Sequence, residues 1–149
     1  MTIRPCTAAD LTAMAELFYQ AVHTTCAAHY TPAQLDAWAP REEGTVRWAD
    51  KLRRETFLAV EDGALLGFGA LEGDYLDLLY VRPDCQGRGV GSVLCDFLER
   101  GCAGETVTVH ASRAARAFFE HRGYRLVRAQ TVERRGETLE NFVMEKELI

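Results

Sequence analysis

Val81-Arg82-Pro83-Asp84-Cys85-Gln86-Gly87-Arg88-Gly89-Val90-Gly91-Ser92 stands where the strand-like run Tyr75 to Val81 hands over to residues with helical spacing. Gly87, Gly89 and Gly91 fall within five residues. Glycine lets a backbone come close to a ligand and turn its N–H groups inward, and a helix that starts here adds free amides and the positive end of its dipole. Together these features make a cradle for an anion. The spacing G-x-G-x-G does not match the dinucleotide fingerprint G-x-G-x-x-G, and no Lys-Ser or Lys-Thr follows for a phosphate-binding P-loop. On the residues alone, a ligand cradle and a merely tight turn both stand.

Working toward the N-terminus, Tyr75 to Val81, Leu65 to Leu71 and Thr56 to Val60 read as three strands joined by tight turns at Gly73-Asp74 and Asp62-Gly63, an antiparallel meander. The segment from about Gly44 to Arg54 reads as a polar surface helix with Val46, Trp48 and Leu52 as its buried positions. Thr31-Pro32 is a cap-then-proline start for a short helix through Leu35 and Trp38 that Pro40 ends. Thr7 or Asp10 caps a first helix with apolar positions Leu11, Met14, Leu17, Phe18, Ala21 and Val22, and Thr2 to Arg4 forms a first strand.

Toward the C-terminus, Val90, Val93, Leu94, Phe97 and Leu98 mark an amphipathic helix from Gly89 to Arg100, which Gly101 stops. Thr106 to His110 is a strand, so strand, loop, helix and strand predict a parallel crossover. Ser112 caps a helix to His121. Tyr124 to Glu133 and Thr138 to Glu147 close the chain as two strands around Arg135-Gly136.

Length and composition bound the function. The chain has 149 residues, 48% hydrophobic and 26% charged, with 4 prolines, which describes one folded domain with its own core and excludes disordered or repetitive classes. A formal charge of −5 argues against broad binding to nucleic acid or an anionic membrane. The five cysteines, Cys6, Cys26, Cys85, Cys95 and Cys102, are scattered without a C-x-x-C pair, as expected of reduced thiols. No apolar run reaches the roughly 18 residues of a bilayer span, and residues 1–10 turn polar too early for a secretory leader. The cytoplasm is the expected compartment. Charge is nonetheless uneven, since residues 82–135 hold 10 basic against 6 acidic side chains and the rest of the chain is acidic.

Between a strand ending in Val81-x-Pro83 and an amphipathic helix, Gln86-x-x-Gly89-x-Gly91 resembles the signature motif of the GCN5-related N-acetyltransferase superfamily, most closely its small bacterial members. A second stretch, Ala111-Ser112-Arg113-Ala114-Ala115-Arg116-Ala117-Phe118-Phe119-Glu120-His121-Arg122-Gly123-Tyr124, looks like the family's later helix, and the order of elements is the family's order. The resemblance implies an α+β fold, an α/β/α sandwich whose mixed, mostly antiparallel sheet has a splayed strand pair and helices on both faces. Residues 1–149 then form a single N-acetyltransferase domain. It further implies acetyl-CoA as cofactor, with its pyrophosphate on Gln86, Gly87, Arg88, Gly89, Val90, Gly91 and Ser92. Main-chain groups of Leu79, Tyr80 and Val81 hold the pantetheine and thioester oxygen, and Phe118 and Phe119 flank the pantetheine arm.

Acetyl transfer to an amine needs a polarised thioester, a neutral amine and a proton for the departing thiolate. Strand alternation places Tyr75, Asp77, Leu79 and Val81 on one face, and Asp77, a carboxylate among apolar neighbours, is the candidate base or water relay; the alternative is a hydrogen-bonded strand residue. Glu72 is a second carboxylate candidate. Many family members carry Tyr where this chain has Phe119, and a phenyl ring donates no proton. Either Tyr75, Tyr80, Ser112 or His110 donates instead, or water protonates the thiolate, whose modest pKa makes assistance optional. Ser112, where the family often has Asn, either orients water near the sulfur or only caps its helix.

His23, Tyr30, Trp38 and Tyr75 are the candidate acceptor-site residues, the alternative for Tyr30 and Trp38 being closure of the core's edge. His23, Cys26 and His29 lack a known zinc spacing and an evident fourth ligand, so no metal is expected. The expected activity is direct acetyl transfer in a ternary complex to a primary amine of a small molecule or peptide, by a monomer or homodimer. A non-catalytic module that binds or senses CoA, encouraged by Phe119, and an interaction domain with no cofactor are the alternatives.

Overall fold

The computed structural model describes residues 1–53 and 55–148, without the side chains of Leu52 and Arg53. Seven strands form one sheet in the order β1-β2-β3-β4-β5-β7-β6: β1 Thr2–Pro5, β2 Glu55–Glu61, β3 Ala64–Glu72, β4 Tyr75–Val81, β5 Thr106–Ala111, β6 Arg125–Arg134 and β7 Glu137–Glu147. The helices are α1 Leu11–Gln20, α2 Pro32–Trp38, α3 Val46–Ala49, α4 Val90–Arg100 and α5 Arg116–His121. Every neighbouring pair is antiparallel except β4 with β5.

That parallel pair defines the architecture. β4 and β5 are in register only at Tyr75 with Thr108 and Leu76 with Val109, after which the strands part. One side of the sheet is covered by α1 and α2, whose Met14, Leu17, Phe18 and Leu35 pack with Phe68, Leu78 and Trp48. The other is covered by α4 and α5, with Leu98, Cys95 and Phe119 against Leu76, Val107, Val109 and Met144. Gly67 and Gly69 on β3 let α4 lie close: a Cβ at Gly69 would come within 2.7 Å of Leu98 Cδ1.

Local chemistry explains the elements. Thr7 and Asp10 share a capping box in which the Thr7 N–H donates to Asp10 Oδ2 at 2.8 Å. Thr31 accepts from the Gln34 N–H with Pro32 at the first helical turn of α2. Asp62-Gly63 and Arg135-Gly136 all have positive φ, the hairpin geometry that matches strand twist.

Three departures matter. α1 runs into a π-helical turn, Ala21–Thr25. The expected helix from Gly44 is broken into α3 and the 3-10 turn Asp50–Arg53; Trp48 is buried, but Val46 is exposed because so short a helix turns it outward, and Arg54 and the Leu52 side chain lie outside the described residues. α5 starts at Arg116 rather than Ser112, after a turn. Among the described residues no helix is long and apolar enough to cross a membrane.

Candidate functional site

Where β4 and β5 part, a cleft of about 470 Å³ opens between them. One end is walled by Gln86, Gly87 and Gly89 through Ser92. Gly87 and Gly89 take φ of 78° and 83°, backbone that favours glycine, and a Cβ built on either meets nothing within 4 Å. The first bond of α4 runs from the Val93 N–H to the Gly89 carbonyl, so the amides of the preceding turn point out of the helix start into the cradle. Gly91 has another reason to be glycine. Its Cβ would stand 3.2 Å from the Phe118 ring, which closes this end of the cleft from α5.

The middle is walled by Leu79, Tyr80 and Val81 of β4 and by Phe118 and Phe119 of α5. Phe119 is buried, edge-on to Phe118 and Tyr124 at 5.1 and 5.0 Å. The cleft thus fits a long donor with an anionic end on the amides and a slim arm against apolar walls.

The far end holds the polar groups. In the β3–β4 register Leu71 faces Leu76 and Ala70 faces Leu78, so Asp77 is an extra, bulged residue. The bulge overturns the expected alternation. Leu76, Leu79 and Val81 pack toward α4, whereas Leu78 and Tyr80 pack toward α1, because a bulge puts two successive residues on one side. Asp77 lines the cleft, and its Oδ2 accepts from Lys51 Nζ at 3.2 Å. Lys51 is itself fixed by the buried Thr56, whose hydroxyl donates to the Lys51 carbonyl at 3.0 Å.

Past the last register pair of the fork, His110 of β5 and Ser112 just after it also line the cleft. The Ser112 Oγ accepts from the Ala115 N–H at 3.2 Å, so it caps the turn and lines the cleft at once. Burial, joined by the charge of Arg128, holds the His110 imidazole below its ordinary range. Tyr80 sits edge-on to Phe18 at 5.0 Å, and burial raises its phenol well above the ordinary range against the opposing pull of Arg47 and Trp38, so it stays protonated. From the π-helical turn, Ala21, Thr25 and Cys26 complete the wall with Trp38; burial pushes the Cys26 thiol up to about 11, Ser112 pulling the other way.

Of the residues expected at the site, Arg88, His23, Tyr30 and Tyr75 do not line this cleft. Arg88 turns to Glu61 at 2.8 Å. His23 Nε2 contacts the Ala39 carbonyl at 2.8 Å and the ring stacks on Tyr19, pinning the end of α1 to α2. Tyr30 is buried, donating to the Glu140 carbonyl at 2.7 Å and accepting from the Arg113 N–H at 3.0 Å. Tyr75 packs edge-on to His110 at 5.0 Å, one layer behind the wall, and Glu72 is exposed at the end of β3. Lys51, Thr25 and Cys26 carried no local signal for this role, since a broken helix and a π-helical turn bring them in.

A family model described as an acetyltransferase (GNAT) domain matches residues 26–148. The chain is 36% identical over 136 residues, 91% of its own length and 88% of the other's, to the uncharacterized N-acetyltransferase YafP of Escherichia coli strain K12. A GCN5-related N-acetyltransferase from Rhodopseudomonas palustris, called Aminotransferase, Class-II, has a crystal structure that matches with a TM-score of 0.94 at 36% identity, covering 99% of this chain and 95% of that one. YncA of Salmonella typhimurium, a putative acetyltransferase solved with its cofactor acetyl-CoA, matches with a TM-score of 0.68 at 23% identity over 100% and 94% of the two chains, a likeness of fold.

Proposed function

Because this chain belongs to the GCN5-related N-acetyltransferase family, we propose that it transfers the acetyl group of acetyl-CoA directly to a primary amine of a small molecule or peptide within a ternary complex. The observation that carries the reading is the continuous cleft at the fork of β4 and β5, which runs from an amide cradle to a cluster of polar side chains.

Acetyl-CoA supplies the acyl group already activated as a thioester. The residues present fit it: the positive-φ glycines leave room for a pyrophosphate against the α4 amides, and backbone N–H groups along Leu79 to Val81, past the bulge, polarise the carbonyl. The amides of Gly87 and of Gly89 through Ser92 hold the phosphates, while Phe118 and Phe119 keep the arm dry. Asp77, fixed by Lys51, receives the acceptor's ammonium directly or through water. Ser112 and Tyr80, which line the cleft, would serve as neutral donors to the departing thiolate, with water as the final proton source where Phe119 has no hydroxyl to give. Trp38 closes the acceptor side.

Calorimetric titration with acetyl-CoA, followed by a product-resolved screen of polyamines, amino acids, aminoglycosides and peptide N-termini, tests the reading. Saturable binding and turnover are expected; no binding at millimolar acetyl-CoA refutes it. Phe119 favours one second reading, a module that binds CoA without catalysis, for which binding persists and no amine turns over.

A further inference from the structure

β5 carries one titratable side chain, His110, which lines the cleft and has no role in the transfer reading on which this inference rests. We propose that His110 is the general base that takes a proton from the acceptor's ammonium. The last register pair of the fork is Leu76 with Val109; the next residues along the two strands are Asp77 and His110, so these side chains stand at the point where the cleft opens. Asp77 is engaged by Lys51, both being less than one-fifth exposed, which suits it to hold a cation rather than to be the final proton acceptor. His110 is held from two other sides, by the Tyr75 ring and by Gln130 Nε2, 3.4 Å from its Nδ1.

The electrostatic surroundings agree. Tyr75 packs on the ring from β4, Arg128 acts on it from β6, and Asp77 and Cys26 line the same cleft; Glu145, two residues along β7 from Val143, the register partner of His110, is taken up by Arg125. Burial and, after it, the charge of Arg128 shift the imidazole toward its neutral form, the form a base requires. An alkylammonium of pKa about 10 is neutral in roughly one part in a thousand at pH 7, so a base at this point is worth about 10²- to 10³-fold. One ammonium proton passes to His110 and then to solvent; the amine nitrogen bonds to the thioester carbon as its C–S bond breaks, and the second proton goes to the CoA sulfur.

The experiment compares wild type, His110→Gln and Asp77→Asn by CoA release from acetyl-CoA between pH 6 and 10, using ethylamine, spermidine and a lysine-containing peptide at high concentration, with acetyl-CoA affinity measured in parallel. His110→Gln is expected to bind acetyl-CoA as wild type does, to lose about 10²-fold in kcat at pH 7, and to regain most of it near pH 10, where the amine is neutral. Asp77→Asn is expected to raise KM more than it lowers kcat. Wild-type rates in His110→Gln, an equal loss at every pH, or a pH profile altered by Asp77→Asn in its place overturns the assignment while leaving acetyl transfer intact. No acetyl-CoA binding or no turnover by wild type overturns the transfer reading and this assignment together.

Discussion

Gly67 links the stability of the sheet to the donor end of the cleft. It lies on β3 opposite Val81, and a Cβ built there would stand 2.8 Å from the Tyr80 carbonyl oxygen and 3.0 Å from Val90 Cγ1. The oxygen is backbone and cannot rotate away, and Val90 opens α4, so Gly67→Ala has to push the end of β4 or the start of α4. Overpacking of this kind costs about 1–3 kcal/mol, offset by roughly 0.5–1 kcal/mol from the unfolded-state entropy that glycine carries. A net loss of about 1–2 kcal/mol lowers Tm by roughly 2–8 °C in a domain of this size. The atoms displaced are those of the proposed cradle, so acetyl-CoA affinity should fall as well, about tenfold for each 1.4 kcal/mol of lost contact.

Gly63→Ala is the control. Gly63 has φ of 79° in the β2–β3 turn with nothing within 4 Å of a Cβ, so alanine there costs about 1–2 kcal/mol of left-handed strain without touching the cleft. Thermal unfolding and calorimetry with acetyl-CoA should show both variants losing Tm and only Gly67→Ala losing affinity. Wild-type affinity in Gly67→Ala, or an equal loss in Gly63→Ala, would refute the reasoning.

Gly89→Glu adds strain at φ of 83° and puts a carboxylate where phosphate belongs; acetyl-CoA binding should weaken by at least about tenfold, read by calorimetry. Glu99 accepts from Arg122, Lys146 and Tyr124 at 2.9, 3.2 and 2.7 Å across α4, β7 and the α5–β6 connection; Glu99→Ala leaves a poorly exposed guanidinium short of a partner and should cost about 3 kcal/mol, seen as a lower urea midpoint with an unchanged slope. Hydrogen bonding from Arg4 lowers the Asp10 carboxyl from 3.8 to about 2. A folded-state value below the unfolded one stabilises the fold above about pH 4 and is lost as pH falls toward 2, so the difference in stability between wild type and Asp10→Asn should shrink over that interval.

Local chemistry made much of the fold legible. β4 begins and ends where the strand pattern does, Thr31-Pro32 opens α2, and Arg135-Gly136 turns the last hairpin, because caps, prolines and left-handed glycines act within a few residues. Asp77 shows what stays hidden: strict alternation puts it beside Leu79 and Val81, and a bulge set by pairing with β3 separates them. The segment 44–53 has helical spacing but is held as short turns by partners far along the chain, Phe18 and Phe68 against Trp48 and Asp77 against Lys51.

The same distinction divides the site. The donor end is built from main-chain amides, and main chain is exposed to a ligand only where side chains are withdrawn, so it leaves a dense glycine signal at Gly87, Gly89 and Gly91. The acceptor end is built from single side chains, Thr25 and Cys26 on a π-helical turn, Trp38 at the end of α2, Asp77 on a bulge and His110 past the last pair of a fork. No two of these irregularities share a segment, so no local pattern joins them. On the proposed reading, an exchange at any one of them should alter acceptor choice without disturbing the cradle.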